Sequence, residues 1–222
     1  MKDKILKLVI EEYISSATPV GSNYLVSKKK LNCCAATVRN AMMELERDGY
    51  LFQPHISAGR VPTPKAYQEY VNSLDLSQKL SSNLDKKLDS TLKNLKVDDV
   101  EQKSKNLAKM VAEITNGAVL LAFSKHNYYI TGFSNILSQP EFVEVGRLQN
   151  LSLALDNLEN ILEKVFDEIK DTEVFVGPDN IFSEYLSAIT SPFSKGVIGI
   201  LGPTRMNYKQ NLALINYFKK VI

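Results

Sequence analysis

Apolar positions recur at helical spacing from the start of the chain: Ile5, Leu6, Val9, Ile10, Tyr13 and Ile14 share one face, and Lys4, Lys7, Glu11 and Glu12 take the other. That spacing predicts an amphipathic helix ending near Ser16. Thr18-Pro19-Val20-Gly21 cannot continue it, since proline lacks the amide proton a helix interior needs. Ser22 then offers an N-cap oxygen to a short second helix running through Leu25 and Val26 into Lys28-Lys29-Lys30. After a turn at Leu31-Asn32-Cys33, a third helix is predicted over 35–48, with Val38, Ala41, Met42 and Leu45 facing inward and Gly49 as its stop. Thr37, Arg39, Asn40, Met43 and Glu44 are left pointing outward.

Two extended runs follow, Tyr50-Leu51-Phe52-Gln53 and Arg60-Val61-Pro62-Thr63, separated by a loop bearing proline and glycine; a β-hairpin is predicted. Three helices and then a hairpin is the order of a winged helix-turn-helix domain, whose third helix enters the DNA major groove and whose wing lies along the backbone or minor groove. Residues 66–116 read as mostly helical. Leu76, Leu80, Leu84, Leu88 and Leu92 recur every fourth residue, a stripe that drifts around a straight helix and fails the 3.5 spacing of a long coiled coil. Val97-Asp98-Asp99 is expected to break this region into two helices, the second carrying Leu107, Met110, Val111 and Ile114. From Gly117 onward strand-like and helix-like segments alternate: strands at 117–123, 127–133, 173–177 and 196–201, and helices at 148–169, 181–189 and 208–221. This predicts a second domain of α and β elements around one sheet.

Composition acts mainly by exclusion. With 222 residues, 44% hydrophobic and 23% charged, the chain suits one large or two modest globular domains. Its longest apolar run, 118–123, falls far short of the roughly 20 residues of a membrane helix, and the opening MKDKILKLVIEEY carries acids where an export signal is apolar. A cytoplasmic protein is expected. Cys33 and Cys34 are adjacent, which builds neither a disulfide framework nor a spaced metal site, and with His55 and His126 as the only histidines no metal or other cofactor is expected. Residues 1–74 hold 10 Lys/Arg against 7 Asp/Glu, while 75–222 hold 17 against 18, so the small basic excess lies in the helix-turn-helix segment.

Arg39 and Asn40 are the candidates for reading DNA directly. A guanidinium can grip the O6/N7 edge of guanine and a carboxamide the N6/N7 edge of adenine, and both sit in the first half of a helix that follows a turn. The plainer alternative is a surface ion pair from Arg39 to Glu44 or Asp48. Ser22, Thr37 and the lysine run would serve phosphates, fixing register without reading sequence. His55 and Arg60 sit on the wing, where a cation can approach phosphates or a narrow minor groove. His55 has no nearby nucleophile with an orienting acid, and Gly177-Pro178-Asp179-Asn180 and Gly202-Pro203-Thr204-Arg205 lack the glycine spacing of a phosphate loop, so an enzyme is not expected.

Pro19-Val20-Gly21-Ser22, the run Ala35-Ala36-Thr37-Val38-Arg39-Asn40-Ala41-Met42-Met43-Glu44-Leu45-Glu46 and the wing Gln53-Pro54-His55-Ile56-Ser57-Ala58-Gly59-Arg60-Val61-Pro62-Thr63 closely resemble the bacterial heat-inducible transcription repressor HrcA family. Residues 1–72 match nearly throughout. Pro140-Glu141-Phe142 and Gly202-Pro203-Thr204-Arg205-Met206-Asn207-Tyr208 resemble the family's second, GAF-like domain, in matching order. The resemblance implies an α+β chain: a winged helix-turn-helix domain at 1–73, a helical connector at 74–116 and a GAF-like α/β domain at 117–222. It further implies a homodimeric repressor that binds an inverted-repeat operator upstream of chaperone genes and depends on the GroEL chaperonin. DNA contact is carried onto Ser22, Thr37, Arg39, Asn40, His55, Ser57 and Arg60.

The chain departs from the family in places. Only residues 117–139 fill an interval that in usual members holds an inserted dimerisation domain, so that domain is expected to be absent and the sheet shortened. Cys33-Cys34 stands where serines are favoured, Ala66 where glycine is usual and Gln68 where arginine is usual. Loss of the inserted domain leaves the apolar strands to be covered by the remaining helices or by a second subunit, and dimerisation through residues 74–222 is expected. A rival of another class is a small-molecule sensor or enzyme whose second domain gathers Tyr128, Tyr129 and Arg205 around a ligand.

Overall fold

The computed structural model describes residues 1–94 and 99–222, and its contacts divide them into two units, Met1–Leu74 and Asp75–Ile222.

The first unit contains α1 (Lys2–Ser16), α2 (Ser22–Lys29), α3 (Ala35–Arg47), a hairpin of β1 (Leu51–Phe52) and β2 (Val61–Pro62), and α4 (Pro64–Asn72). α1 packs on α3, α4 and β2, and α2 packs on α3, around Ile5, Val9, Ile10, Leu25, Val38, Leu45, Leu51 and Tyr67. The antiparallel hairpin sets Leu51 opposite Pro62 and Phe52 opposite Val61, as the two extended runs predict. Gly49 follows α3 with φ +79°, a left-handed stop that glycine adopts without cost. Thr63 caps α4 by accepting from the Ala66 amide, with Pro64 in the first turn.

Two local expectations are corrected. Gly21, with an extended backbone, is the N-cap of α2, and Ser22 is its first helical residue, buried and making no side-chain cap. Glu12, read as part of the polar face, is only 2% exposed. It accepts hydrogen bonds from Tyr24 Oη and Lys28 Nζ, both at 2.6 Å, and lies 3.6 Å from Lys29 Nζ. Those donors, Lys28 first, hold its carboxyl below the ordinary glutamate range. A carboxylate survives at that depth because the partners reach it from α2.

The second unit contains α5 (Ser82–Asn94), α6 (Val100–Thr115), β3 (Ala118–Ser124), β4 (Asn127–Thr131), α7 (Phe133–Leu137), α8 (Val145–Asp156), α9 (Leu158–Glu168), β5 (Glu173–Val176), β6 (Leu186–Phe193), β7 (Gly196–Pro203) and α10 (Tyr208–Val221). Its five strands form one sheet in the order β4-β3-β7-β6-β5, every neighbouring pair antiparallel. Helices cover both faces. α6 packs on β3 and α10 on β6 and β7, while α7 and α9 meet β3 and β7 from the other side through Ile136, Leu162 and Val165. The apolar strands β3 and β7 are therefore buried by helices the chain retains, the first of the two covers the sequence allows. This is the α+β class expected, with a GAF-like α/β second domain.

Three element expectations change here. The helix predicted over 181–189 is instead a turn running into strand β6: Asn180 Oδ1 accepts from the Phe182 amide, and 186–193 pair along β7. The single helix over 148–169 is two, with Asn157 closing α8 and opening α9. Strand β4 ends at Thr131, after which Gly132, at φ +74°, opens α7. The break expected at Val97-Asp98-Asp99 falls partly outside the described residues; Asp99 is described, and its carboxylate caps α6 by accepting from the Gln102 amide at 2.8 Å.

Candidate nucleic-acid interface

A groove of about 440 Å³ in the first unit is lined by the start of α2 (Gly21, Ser22, Asn23), by Arg39, Met42 and Met43 of α3, and by the wing residues Gln53 and Ile56-Ser57-Ala58-Gly59-Arg60. Its architecture follows from local sequence. The apolar stripe of α3 is consumed by α1 and α2, which leaves the opposite stripe facing out. Arg39 and Asn40 are exposed on that stripe, and Thr37 is half-buried one turn from the helix start.

The alternative of an ion pair from Arg39 to Glu44 or Asp48 is not formed. Lys2 takes both acids, with Nζ 2.8 Å from Glu44 and 3.4 Å from Asp48, and Arg39 has no ion-pair partner among the described residues. At the head of α3, Cys34 occupies the N-cap, where the resemblance favours a serine; it makes no side-chain cap, but its Sγ lies 3.2 Å from Thr37 Oγ1. The Thr37 hydroxyl and the first amides of the helix draw the Cys34 thiol below its ordinary value.

The wing is braced at its base and apex. Val20 and Arg60 exchange both backbone hydrogen bonds at 2.9 Å. A Cβ at Gly59 would collide with the Val20 backbone, so this close approach admits only glycine. At the apex, Gln53 Nε2 donates to the carbonyls of Ile56 and Ala58 at 2.8 and 2.9 Å, and the Ala58 amide donates to His55 at 2.8 Å. His55 and Ser57 are exposed.

Arg60 differs from its expected placement. Its side chain is 13% exposed, with Nη2 2.9 Å from Glu46 of α3 and Nε buried without a hydrogen-bond partner among the described residues. The guanidinium ties the wing to α3 and does not project from the wing. The lysine run is likewise partly committed: Lys28 and Lys29 turn back to Glu12 and leave Lys30 outward. Sequence reasoning missed these pairings because each joins residues of different elements. Two lysines on α2, 16 and 17 residues after an exposed-looking acid on α1, carry no signal by themselves.

In the second unit the two quoted motifs meet. Arg205 forms an ion pair with Glu141 through Nε and sends Nη2 to Gln139 Oε1 at 2.7 Å and Glu141 Oε2 at 3.2 Å. The Tyr208 hydroxyl is buried, 2.6 Å from the Thr204 carbonyl and 2.8 Å from Ser187 Oγ, and burial pushes its pKa upward. Tyr128 and Tyr129 stand elsewhere. The register sets them beside Ala122 and Leu121, which pair with Val197 and Ile198, whereas Arg205 lies beyond Pro203 at the other end of β7. The three are not gathered around one site. No group of acids, cysteines and histidines among the described residues could hold a metal ion, and no helix there is long and apolar enough to cross a membrane.

A solved structure described as a hypothetical protein, at 2.2 Å resolution, superposes with a TM-score of 0.79 at 17% identity over 99% of this chain and 95% of that one, which bears on the fold alone. The heat-inducible transcription repressor HrcA of Thermodesulfovibrio yellowstonii is 27% identical over 98% of this chain and 94% of its own length. That alignment spans 330 positions against 222 residues here, so the relative carries stretches without a counterpart in this chain. The repressor of the same name from Acetivibrio thermocellus is 31% identical over 92% of this chain and 58% of its own, and that of Clostridioides difficile is 40% identical over 52% of this chain and 34% of its own. The family profile described as HrcA protein C terminal domain matches residues 58–211. With that match covering more than half of its length, the chain belongs to the HrcA family of heat-inducible transcription repressors.

Proposed function

We propose that the chain represses chaperone genes in the bacterial cytoplasm by binding an inverted-repeat operator as a homodimer, with α3 as the reading element. The observation that carries this is the state of Arg39 and Asn40: exposed, side by side, and with Arg39 in no ion pair among the described residues while Glu44 and Asp48 bond to Lys2. Arg39 and Asn40 read base edges in the major groove. Thr37 at the head of α3, and His55 and Ser57 on the wing, contact the backbone or the neighbouring groove. Ser22 supports the groove from the first turn of α2, and Arg60 acts through Glu46 by holding the wing on α3.

One α3 reads only a few base pairs, so useful specificity needs two half-sites and two copies. Exposed Val143, Val145 and Leu153 at and along α8 supply apolar surface for a contact between copies. Such surface also suits capture by the GroEL chaperonin, and dependence on it belongs to the same proposal. No catalytic role is assigned to the second unit. The test is sedimentation of the full chain on chaperone-operon promoter DNA, with and without chaperonin and ATP. Two chains per inverted repeat, with weak binding to a single half-site and a gain on chaperonin addition, support the proposal. One chain per site, with half-sites binding as tightly as the whole, contradicts it.

A further inference from the structure

The braced wing offers no lysine or arginine free to meet a phosphate. Arg60 is turned onto Glu46, and from Pro54 to Gly59 there is no lysine or arginine, only His55 as an ionisable group. What the wing presents is Ile56, 100% exposed at its apex. Single apolar side chains on a surface are ordinary. Ile56 differs in being fixed in place, since Gln53 holds its carbonyl and the next turn of backbone, and in lining the same groove as Arg39, Met43 and Ser57. A docked α3 places that groove against the duplex, with the wing beside the strand that borders the major groove. The adjacent minor groove offers sugar walls and few polar groups, and apolar side chains such as isoleucine are what minor-groove proteins insert there.

We propose that Ile56 seats in the DNA minor groove next to the α3 site, as an apolar contact that discriminates by the shape of the groove and not by charge. This rests on the DNA-binding reading of α3. Hydration of a whole isoleucine in the free protein is then relieved on the duplex, and the stiff apex means little ordering is lost in the process.

The experiment uses the full chain and a duplex recovered by the unaltered protein from a random-sequence pool. Ile56→Ala should bind that duplex about tenfold more weakly, as expected for burying most of an isoleucine side chain, with an unchanged salt slope because no charge is removed. Ile56→Leu should restore most of the affinity, and thermal unfolding of both variants should match the parent. Adenines are then replaced one at a time by 2,6-diaminopurine, which adds an amino group in the minor groove and leaves the major-groove edge as it was. At one or two positions this should weaken the parent by a similar factor and leave Ile56→Ala unaffected. Parent-like affinity of Ile56→Ala overturns the proposal, as does a loss that multiplies with that of every replacement. A changed sedimentation coefficient of Ile56→Ala with unchanged DNA affinity would instead give Ile56 to a contact between copies, and also overturns it. Arg39→Ala and Asn40→Ala, run in parallel, separate the two readings: if they lose affinity and Ile56→Ala does not, only the minor-groove contact falls.

Discussion

In Met1–Leu74 the residues that resemble the family most closely include an exposed arginine with no ion-pair partner among the described residues, whereas in Asp75–Ile222 the matching motifs bond to one another. Arg39 stands exposed on α3 with its neighbouring acids taken by Lys2. Arg205 is held between Glu141 and Gln139, each contributed from the turn that carries the other motif. An arginine in a family motif is thus no guide to its task until its partners are known. The one without a partner is available to a ligand; the engaged one holds two segments of the fold together. Arg60 makes the same point inside the first unit, since it lies in the wing yet is spent on Glu46.

The sharpest way to break this comparison is at Arg205. Its pair with Glu141 is largely shielded, with side-chain exposures of 16% and 22%, so Arg205→Ala strands a carboxylate and should cost about 2–4 kcal/mol of unfolding free energy. Denaturant titration checks this, and DNA affinity of the folded fraction should be unchanged. The next effect is on binding alone. Arg39→Ala and Asn40→Ala should each cost about 1–3 kcal/mol on the selected duplex and little on random DNA, with melting unchanged.

A smaller effect is expected at Glu12. Its carboxylate is favoured in the folded state, so it contributes stability above the ordinary glutamate range that is lost as pH falls through its lowered folded pKa. Glu12→Gln should cost about 1–2 kcal/mol near neutral pH, at the modest end because Lys28 is half exposed, and the difference from the parent should close in acid. The smallest effect tests whether Arg60 faces phosphate. Arg60→Ala should loosen the wing and leave the slope of log affinity against log salt unaltered, while loss of a cation that faces phosphate lowers that slope by about one unit.

How far the sequence was legible follows the range of the interactions involved. The helices of the first unit and the wing could be read because amphipathic spacing, Pro19, Gly49 and the hairpin loop are local signals. Strand β6 could not: Ile181, Phe182, Tyr185, Leu186 and Ile189 satisfy helical spacing, and a strand covered on both faces shows no alternation to contradict it. Likewise 148–169 keep one apolar face through Asn157, where only the backbone records the break. Outward-facing Arg39 and Asn40 were legible from the helix face alone. The inward turn of Arg60, the burial of Glu12 and the pairing of Glu141 with Arg205 were not, because each depends on a partner in another element, 64 residues away in the last case.

The central claim, that α3 reads base edges through Arg39 and Asn40, is met most directly by removing single acceptor atoms from the DNA. Guanines and adenines of the selected duplex are replaced in turn by their 7-deaza forms, which lack the N7 acceptor, and affinity is measured for the parent, Arg39→Ala and Asn40→Ala. The account predicts one guanine whose replacement weakens the parent and leaves Arg39→Ala unaffected, and one adenine that behaves so with Asn40→Ala. Losses that simply multiply at every position would contradict it.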